Sequence, residues 1–533
     1  MKRMRLTTAG RVVIFILVAA ILCGAAFFAY KYFAPKLIEN FGSDNLVSQM
    51  NNGKTDKDTG ASKVPAASTE KNKGKDEELV INVSYDEWCG YEPAVRANGG
   101  YTTQPGSIYD QLGIKVNIHI INDHEASSNA LIKGDLDAAG YTLNRTAFLS
   151  GKFENAGLDI VMPMFTNYSD GGDGIIAQNG IESIEDLVDA KIGVPKFTES
   201  HSMVIWLVNK SDLSDDAKAK IIDNLILMDD AEQTGQAFFA GSLDVAATWQ
   251  PYLSYAENST DSHILFDTTS SNKLILSGVV FRKDFAEANP ELVTKFIEGI
   301  LIANEETDID YDIIRSVMPM FSGMTDEEVA DVCKDAGLVN YNQNVEILTT
   351  DCPVLYNDMC TIWESIGETV NRSIVDTLFD TSYIEPLADK YATLEQKEVF
   401  EVTEEQLEEI VDIPSMLTKT CTIEFHPDTA KFKNNAEAAA ILDEFVEMAK
   451  LLDGTIIQIE GNVNYNGHIY SGDALSTSRA KAVKNYFVAN GIDPDRIIVV
   501  GNGNSKMLVD PSLSTEETMP NRRTDIFFKT IGA

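Results

Sequence analysis

The chain has 533 residues, with 82 acidic side chains against 43 basic ones and a formal charge of −39. Six basic and no acidic residues lie in the first 36 positions, which leaves 37 basic against 82 acidic side chains beyond them, about −45. That balance excludes a nucleic-acid binder, whose phosphates demand a basic face, and adhesion to an anionic membrane surface. Six cysteines in this length exclude a disulfide scaffold.

Lys2, Arg3, Arg5 and Arg11 precede an uncharged run from Val12 to Tyr30. As a helix that run would rise roughly 28 Å, about a bilayer's hydrocarbon thickness. We read 1–11 as a cytoplasmic tail and 12–30 as a transmembrane helix, with the basic flank inside. The protein is then expected in the cytoplasmic membrane as a single-pass protein, its bulk extracytoplasmic. A cleaved signal peptide would need a shorter apolar core and small residues before the cut, whereas Tyr30, Tyr32 and Phe33 flank this one. A lipoprotein would use Cys23, but Leu22 stands where a small residue is expected. Residues 31–78 are assigned as a flexible linker, since from 41 onward they are rich in Ser, Asn, Gly, Lys and Asp and cannot bury a core.

From Leu79 the pattern changes. The run ELVINVSY reads as a buried strand. Behind it come GIKVNIHII, LDAAGY, IVMPMF, GIIA, KIGVP, NLILM, LDVAATW, HILF and LILSGVVF, with helical patterns between them. Such alternation predicts an α/β domain over 79–391 with a largely parallel sheet. Ala130–Ala139 (ALIKGDLDAA) echoes Ala237–Ala246 (AFFAGSLDVA). Each reads as a helix, a Gly in the left-handed cap and a small-residue strand. The repetition predicts two similar lobes, chance likeness of two corners being the plainer account. Cys352 and Cys360 are read as flanking a short loop across which they could pair.

Residues 392–418 read as a helical connector, ended near Pro414. The last unit, 419–533, begins with a strand at Thr422–Phe425. It continues with a long helix, the strand TIIQIEGNV, a helix opened by Leu475–Ser476, and the strands RIIVVGNG and TDIFFKT. This order predicts an αβ sandwich.

Gly461, Leu475–Ser476, Arg479–Ala480, Val483, Gly491–Ile492, Arg496, Gly501, Gly503 and Asn521–Arg522–Arg523 occur in an order that resembles OmpA-like peptidoglycan-binding domains. The resemblance spans 420–530. It implies that an Asp after the second strand and the Arg of the Arg-Ala pair hold the diaminopimelate of a stem peptide, by ammonium–carboxylate and guanidinium–carboxylate bonds. The Arg falls on Arg479, and Arg522 lies near. The Asp position is occupied by Asn464, which keeps an acceptor but loses the charge, and Gly472 stands where Asn is usual.

The central domain resembles type 2 solute-binding proteins of ABC importers, the periplasmic-binding-protein-like group that takes nitrate, sulfonates and thiamine precursors. Its marks are Trp88-Cys89-Gly90-Tyr91, Gly134-Asp135-Leu136-Asp137, Ile184-Glu185-Asp186-Leu187 before Lys191–Pro195, and Gly241–Asp244 followed by Thr248-Trp249-Gln250-Pro251. The likeness implies two lobes joined by crossing strands that close on ligand by a hinge. A cleft at strand C-termini would draw Trp88, Tyr91, Asp123, Tyr141 and Thr142 from one lobe. The other would give Thr198, Ser200, His201, Ser202 and Trp249. The Thr198–Ser202 segment suits a ligand carboxylate or sulfonate, or is an ordinary helix cap. Trp88 and Trp249 suit stacking or the core equally.

His119 and His124-Glu125 superficially suggest a metal, yet His119 falls on a strand and His124 in the loop after it. The chain contains no nucleophile elbow, phosphate loop or zinc spacing. No enzyme, no cofactor and no metal are expected. The expected partners are a small organic solute, peptidoglycan, a membrane permease or other membrane partner, and the bilayer. The expected function is solute capture for an ABC importer. The alternative is an envelope sensor or scaffold that links membrane and wall.

Overall fold

The computed structural model describes residues 79–392 and 417–530, apart from 272, 307–308, 427, 465–470 and 515. The expected tail (1–11), membrane helix (12–30) and linker (31–78), and nearly all of the connector expected over 392–418, lie outside them. Among the described residues no helix is long and apolar enough to cross a membrane.

The β-branched run Val80–Tyr85 (β1) buries Ile81, Val83, Ser84 and Tyr85, so both of its faces are covered. It pairs in parallel with Lys115–Ile120 (β2) and Ala138–Thr142 (β3). Helix α1 (His124–Lys133) joins β2 to β3 and ends at Gly134 with φ 75°. The first residue of α1 is His124, which the sequence reading had put in a loop; the Asp123 carboxylate accepts from Glu125 N and Ala126 N and so starts the helix there.

A second sheet repeats this plan. Ile192–Pro195 (β7) pairs in parallel with Ile226–Met228 (β8) and Val245–Trp249 (β9). The helix Ala231–Phe239 (α4) precedes Gly241, whose φ is 73°. The echoed segments align Ala138 with Val245, and these two residues pair with β1 and β7 respectively. The echo is therefore structural.

The chain crosses between the lobes twice. Phe165–Ser169 (β5) lies in the first sheet, and the chain then crosses to Asp173–Gln178 (β6) in the second. It returns from Ser262–Asp267 (β10) to Leu276–Arg282 (β11) in the first. From one edge the sheets read β2-β1-β3-β11-β5 and β8-β7-β9-β6-β10. In both, the returning strand runs antiparallel to its neighbours. Ile160–Val161 (β4) and Ala336–Leu338 (β12) extend the first sheet.

Helix α2 (Leu143–Ala156) follows β3, and α3 (Glu199–Lys210) follows β7. A later helix, α5 (Cys352–Ser365), touches both. Trp363 Nε1 donates to Asn144 O at 3.0 Å, and Trp206 Nε1 donates to Asp358 Oδ2 at 3.4 Å. Cys352 and Cys360, expected to face each other across a loop, stand on this one helix as buried free thiols. Eight residues of helix separate them by about 12 Å, beyond the roughly 7 Å limit for a disulfide.

The last unit is a four-stranded sheet with two helices. Leu417–Cys421 (β13), Thr455–Asn462 (β14), Ile497–Gly503 (β15) and Thr524–Thr530 (β16) lie in the order β13-β16-β14-β15. The helices are Asn435–Leu451 (α6) and Ser471–Ala489 (α7). Two expectations are corrected. The first strand is Leu417–Cys421, earlier than Thr422–Phe425 and inside the expected connector; all five residues pair with β16, and the alternate Leu417, Lys419 and Cys421 are buried. The second helix is already formed at Ser471, ahead of Leu475. A Cβ on Gly461 would lie 2.2 Å from Ser476 O, so this glycine lets β14 and α7 touch. Arg496 is buried and donates to Thr455 O, Ala449 O and Leu452 O, which ties the end of α6 to the sheet.

Candidate functional site

β1, β3 and β7 each end where a helix begins, and their C-terminal ends meet across the two lobes. Asp86 follows β1, Thr142 caps α2, and Glu199 is the first residue of α3. Thr142 Oγ1 accepts from Arg145 N and donates to Glu199 Oε1 at 2.7 Å. Arg145 Nη2 lies 3.5 Å from Glu199 Oε2. A carboxylate of the second lobe thus sits on a hydroxyl and a guanidinium of the first. One turn on, Asn144 Nδ2 donates to Ser202 Oγ at 2.8 Å, a second bond across the lobes.

The electrostatics follow from burial. Burial alone would raise the Glu199 carboxyl; Arg145, then His124 and the Thr142 hydroxyl, outweigh it and hold Glu199 below its ordinary value. His124 Nε2 is 3.6 Å from Asp86 Oδ2. Burial first and Arg145 second push the imidazole down to about 4, so it is neutral near pH 7. Burial, helped by Glu199 and opposed by Arg145, pushes Asp86 up to about 7. Asp173, on the crossing strand β6, is raised to about 7 by burial even though Ser169 Oγ donates to it at 2.8 Å.

The residues expected to line the cleft divide into two groups. Tyr91 and Tyr141 are buried beside this cluster, and both hydroxyls sense Asp86. Tyr141 also bonds Ser127 Oγ at 2.8 Å and meets the His124 ring edge-on. Trp88 is half-buried, its Nε1 donating to Asn167 Oδ1 at 2.7 Å. Trp249 ends β9 opposite Asp173 and is 40% exposed. Asp123 is exposed and its Oδ1 serves the cap of α1.

On α3 most hydroxyls are engaged within the fold. Thr198 Oγ1 donates to Pro195 O, and Ser202 Oγ donates to Glu199 O. His201 is buried, its Nδ1 accepting from Phe197 N while its ring meets Trp363 edge-on; burial pushes it down to about 4. Ser200 Oγ is buried without a partner. Sequence reasoning missed Asp86, Arg145 and Glu199. The signal was available: each stands at, or within a turn of, the end of a parallel strand.

In the last unit Asn464, Arg479 and Arg522 share one neighbourhood. Asn464 Oδ1 accepts from Asn521 Nδ2 at 3.0 Å, and Arg522 follows Asn521 directly. The Arg479 guanidinium lies 4.9 Å over the Phe425 ring, with Nε donating to Thr429 O at 3.1 Å. Burial and then Arg522 lower the Arg479 pKa, while Asp428 opposes them. Phe425 and Asp428 were not anticipated.

The chain thus has two α/β lobes, joined by two crossings, that meet over buried charges, and a further four-stranded αβ unit. Residues 424–520 match the OmpA family and form an OmpA-family domain. The chain is 24% identical over 245 residues to a Brucella abortus protein provisionally named a binding protein, covering 44% of this chain and 70% of that one. It is 33% identical over 90 residues to outer membrane protein A of Bordetella avium, 17% of this chain and 46% of that one. Among solved structures it is similar to the periplasmic aliphatic sulphonate-binding protein of Escherichia coli at 16% identity and TM-score 0.44, over 58% of this chain and 99% of that one. It is also similar to the periplasmic nitrate-binding protein of Synechocystis PCC 6803 at 12% identity and TM-score 0.42, over 59% and 89%.

Proposed function

We propose that the protein is a membrane-anchored extracytoplasmic solute-binding protein. Its lobes close on a small organic ligand destined for an ABC permease, and its OmpA domain holds peptidoglycan. The observation that carries the first part is the cross-lobe cluster. Thr142 and Arg145 of one lobe and Glu199 of the other meet at strand ends, where a ligand inserted between the lobes would contact both. No covalent step is needed; capture is hinge closure. For the second part, Arg479 lies over Phe425 close to Asn464 and Arg522, an arrangement that suits a carboxylate fork. Asn464 contributes a neutral acceptor only.

Full-length protein screened against a library of small solutes should melt at higher temperature with its ligand, about 2.7 kcal/mol at a hundredfold excess over Kd. The same protein should pellet with purified peptidoglycan, and Arg479→Ala should release it. A flat melting profile across the library defeats capture, and equal pelleting by the variant defeats the wall site.

A further inference from the structure

Where the lobes meet, three carboxyl groups, two of them raised to about 7, gather around one guanidinium. Asp86, His124, Arg145 and Glu199 form the centre, and His124 is neutral near pH 7, so Arg145 is the one cation of the four. Arg145 is already shared with Glu199. Asp86 is left facing a neutral ring at 3.6 Å, and its second oxygen, Oδ1, is shielded from water with no hydrogen-bond partner. Asp173 adds a third buried carboxylate that senses Glu199. A bare oxyanion entering here would meet these carboxylates with only one guanidinium to offset them.

A second unpartnered group belongs to the same cluster. Arg145 is 7% exposed, its charge acts on Asp86, His124 and Tyr141, and its Nε has no hydrogen-bond partner. The site therefore presents one unused acceptor, Asp86 Oδ1, and one unused donor, Arg145 Nε. Tyr91 and Tyr141 are buried near them, and both sense Asp86.

Resting on the solute-binding reading above, we infer that the ligand of the cleft carries an ammonium group that seats on Asp86, with an oxygen acceptor of the same molecule on Arg145. The class is a small amine bearing a hydroxyl or carboxylate. Isolated oxyanions such as sulfonates or nitrate are not taken. Glu199 already occupies, from within the chain, the guanidinium and hydroxyl that such an anion would use.

The test uses full-length protein with four probes at matched ionic strength: ethanolamine, 4-aminobutanoate, ethanesulfonate and nitrate. The amines should raise the melting temperature of the wild type more than the anions do. Asp86→Asn, which keeps the shape and removes the charge, should abolish the amine shift. It should also raise the melting temperature of the unliganded protein by roughly 3 °C, since an unbalanced charge is removed. Glu199→Gln should turn the preference toward ethanesulfonate by releasing Arg145. Stabilisation of the wild type by anions alone overturns the ammonium site and leaves solute capture standing. A lower melting temperature for unliganded Asp86→Asn also overturns it, because Asp86 would then be structural. If neither the four probes nor the wider library shifts melting, both readings fall.

Discussion

Asp86 makes the cleft's chemistry measurable without any ligand. Its carboxyl ordinarily titrates near 3.8 and is raised to about 7 in the fold by burial and by Glu199, against Arg145. Between those values the folded chain holds a proton that the unfolded chain has lost. Stability must therefore fall as pH rises through that window. His124, whose pKa is lowered to about 4, tilts the curve the other way between 4 and 6.5 and does so in wild type and variant alike. In urea titrations Asp86→Asn should equal the wild type near pH 4 and exceed it at pH 8 by on the order of 2 kcal/mol, less than the full shift because Asp86 is partly open to water. A constant difference across pH would contradict the assignment. Asp86, Arg145 and Glu199 escaped the sequence reading for a physical reason. A carboxylate opening a helix and an arginine in a first turn look like ordinary surface and cap residues. Only the folding of two lobes onto one cleft takes them out of water.

The elements were more legible than the site. Parallel strands such as β1 and β7 are rich in buried β-branched residues that stand out from the chain. The helix–Gly–strand echo survived because Gly134 and Gly241 fill positions of φ near 74° that other residues avoid. β13 was misplaced because Lys419 points inward, its buried stem mimicking an apolar residue that composition does not show. The segment from Cys352 to Cys360 is helical rather than a loop, and Pro353 sits in the first turn of α5, where proline is tolerated. Gly461 offers a test at this scale. Gly461→Ala would drive a Cβ into the Ser476 carbonyl, a backbone group that cannot rotate away. A loss of about 3 kcal/mol is expected. Hydrogen exchange should speed up in β14 and α7 while β1 and β7 keep their rates.

At the scale of the whole molecule the lobes are held by two kinds of contact. One is the pair of polar bonds, Thr142 to Glu199 and Asn144 to Ser202. The other is α5, whose Trp363 and Asp358 reach α2 and α3 respectively. If the lobes close by a hinge as proposed, the polar bonds are the contacts that would break and re-form, and the packed helix the one that would stay. The double variant Glu199→Ala/Ser202→Ala should open the cleft. Small-angle scattering should report a larger radius of gyration than for the wild type, and an unchanged radius would show that α5 alone sets the closure.

The two crossings also fix an order of events in time. The second sheet is drawn from one uninterrupted stretch, Asp173 to Asp267, and needs nothing outside it. The first sheet does need something: β3 keeps a bare edge until β11, Leu276–Arg282, has been made. A chain made from its N-terminus would therefore complete the second lobe's sheet before the first's. For more than a hundred residues of synthesis, an apolar strand edge would stand open to any other strand nearby. A chaperone's most useful moment with this protein falls within that interval.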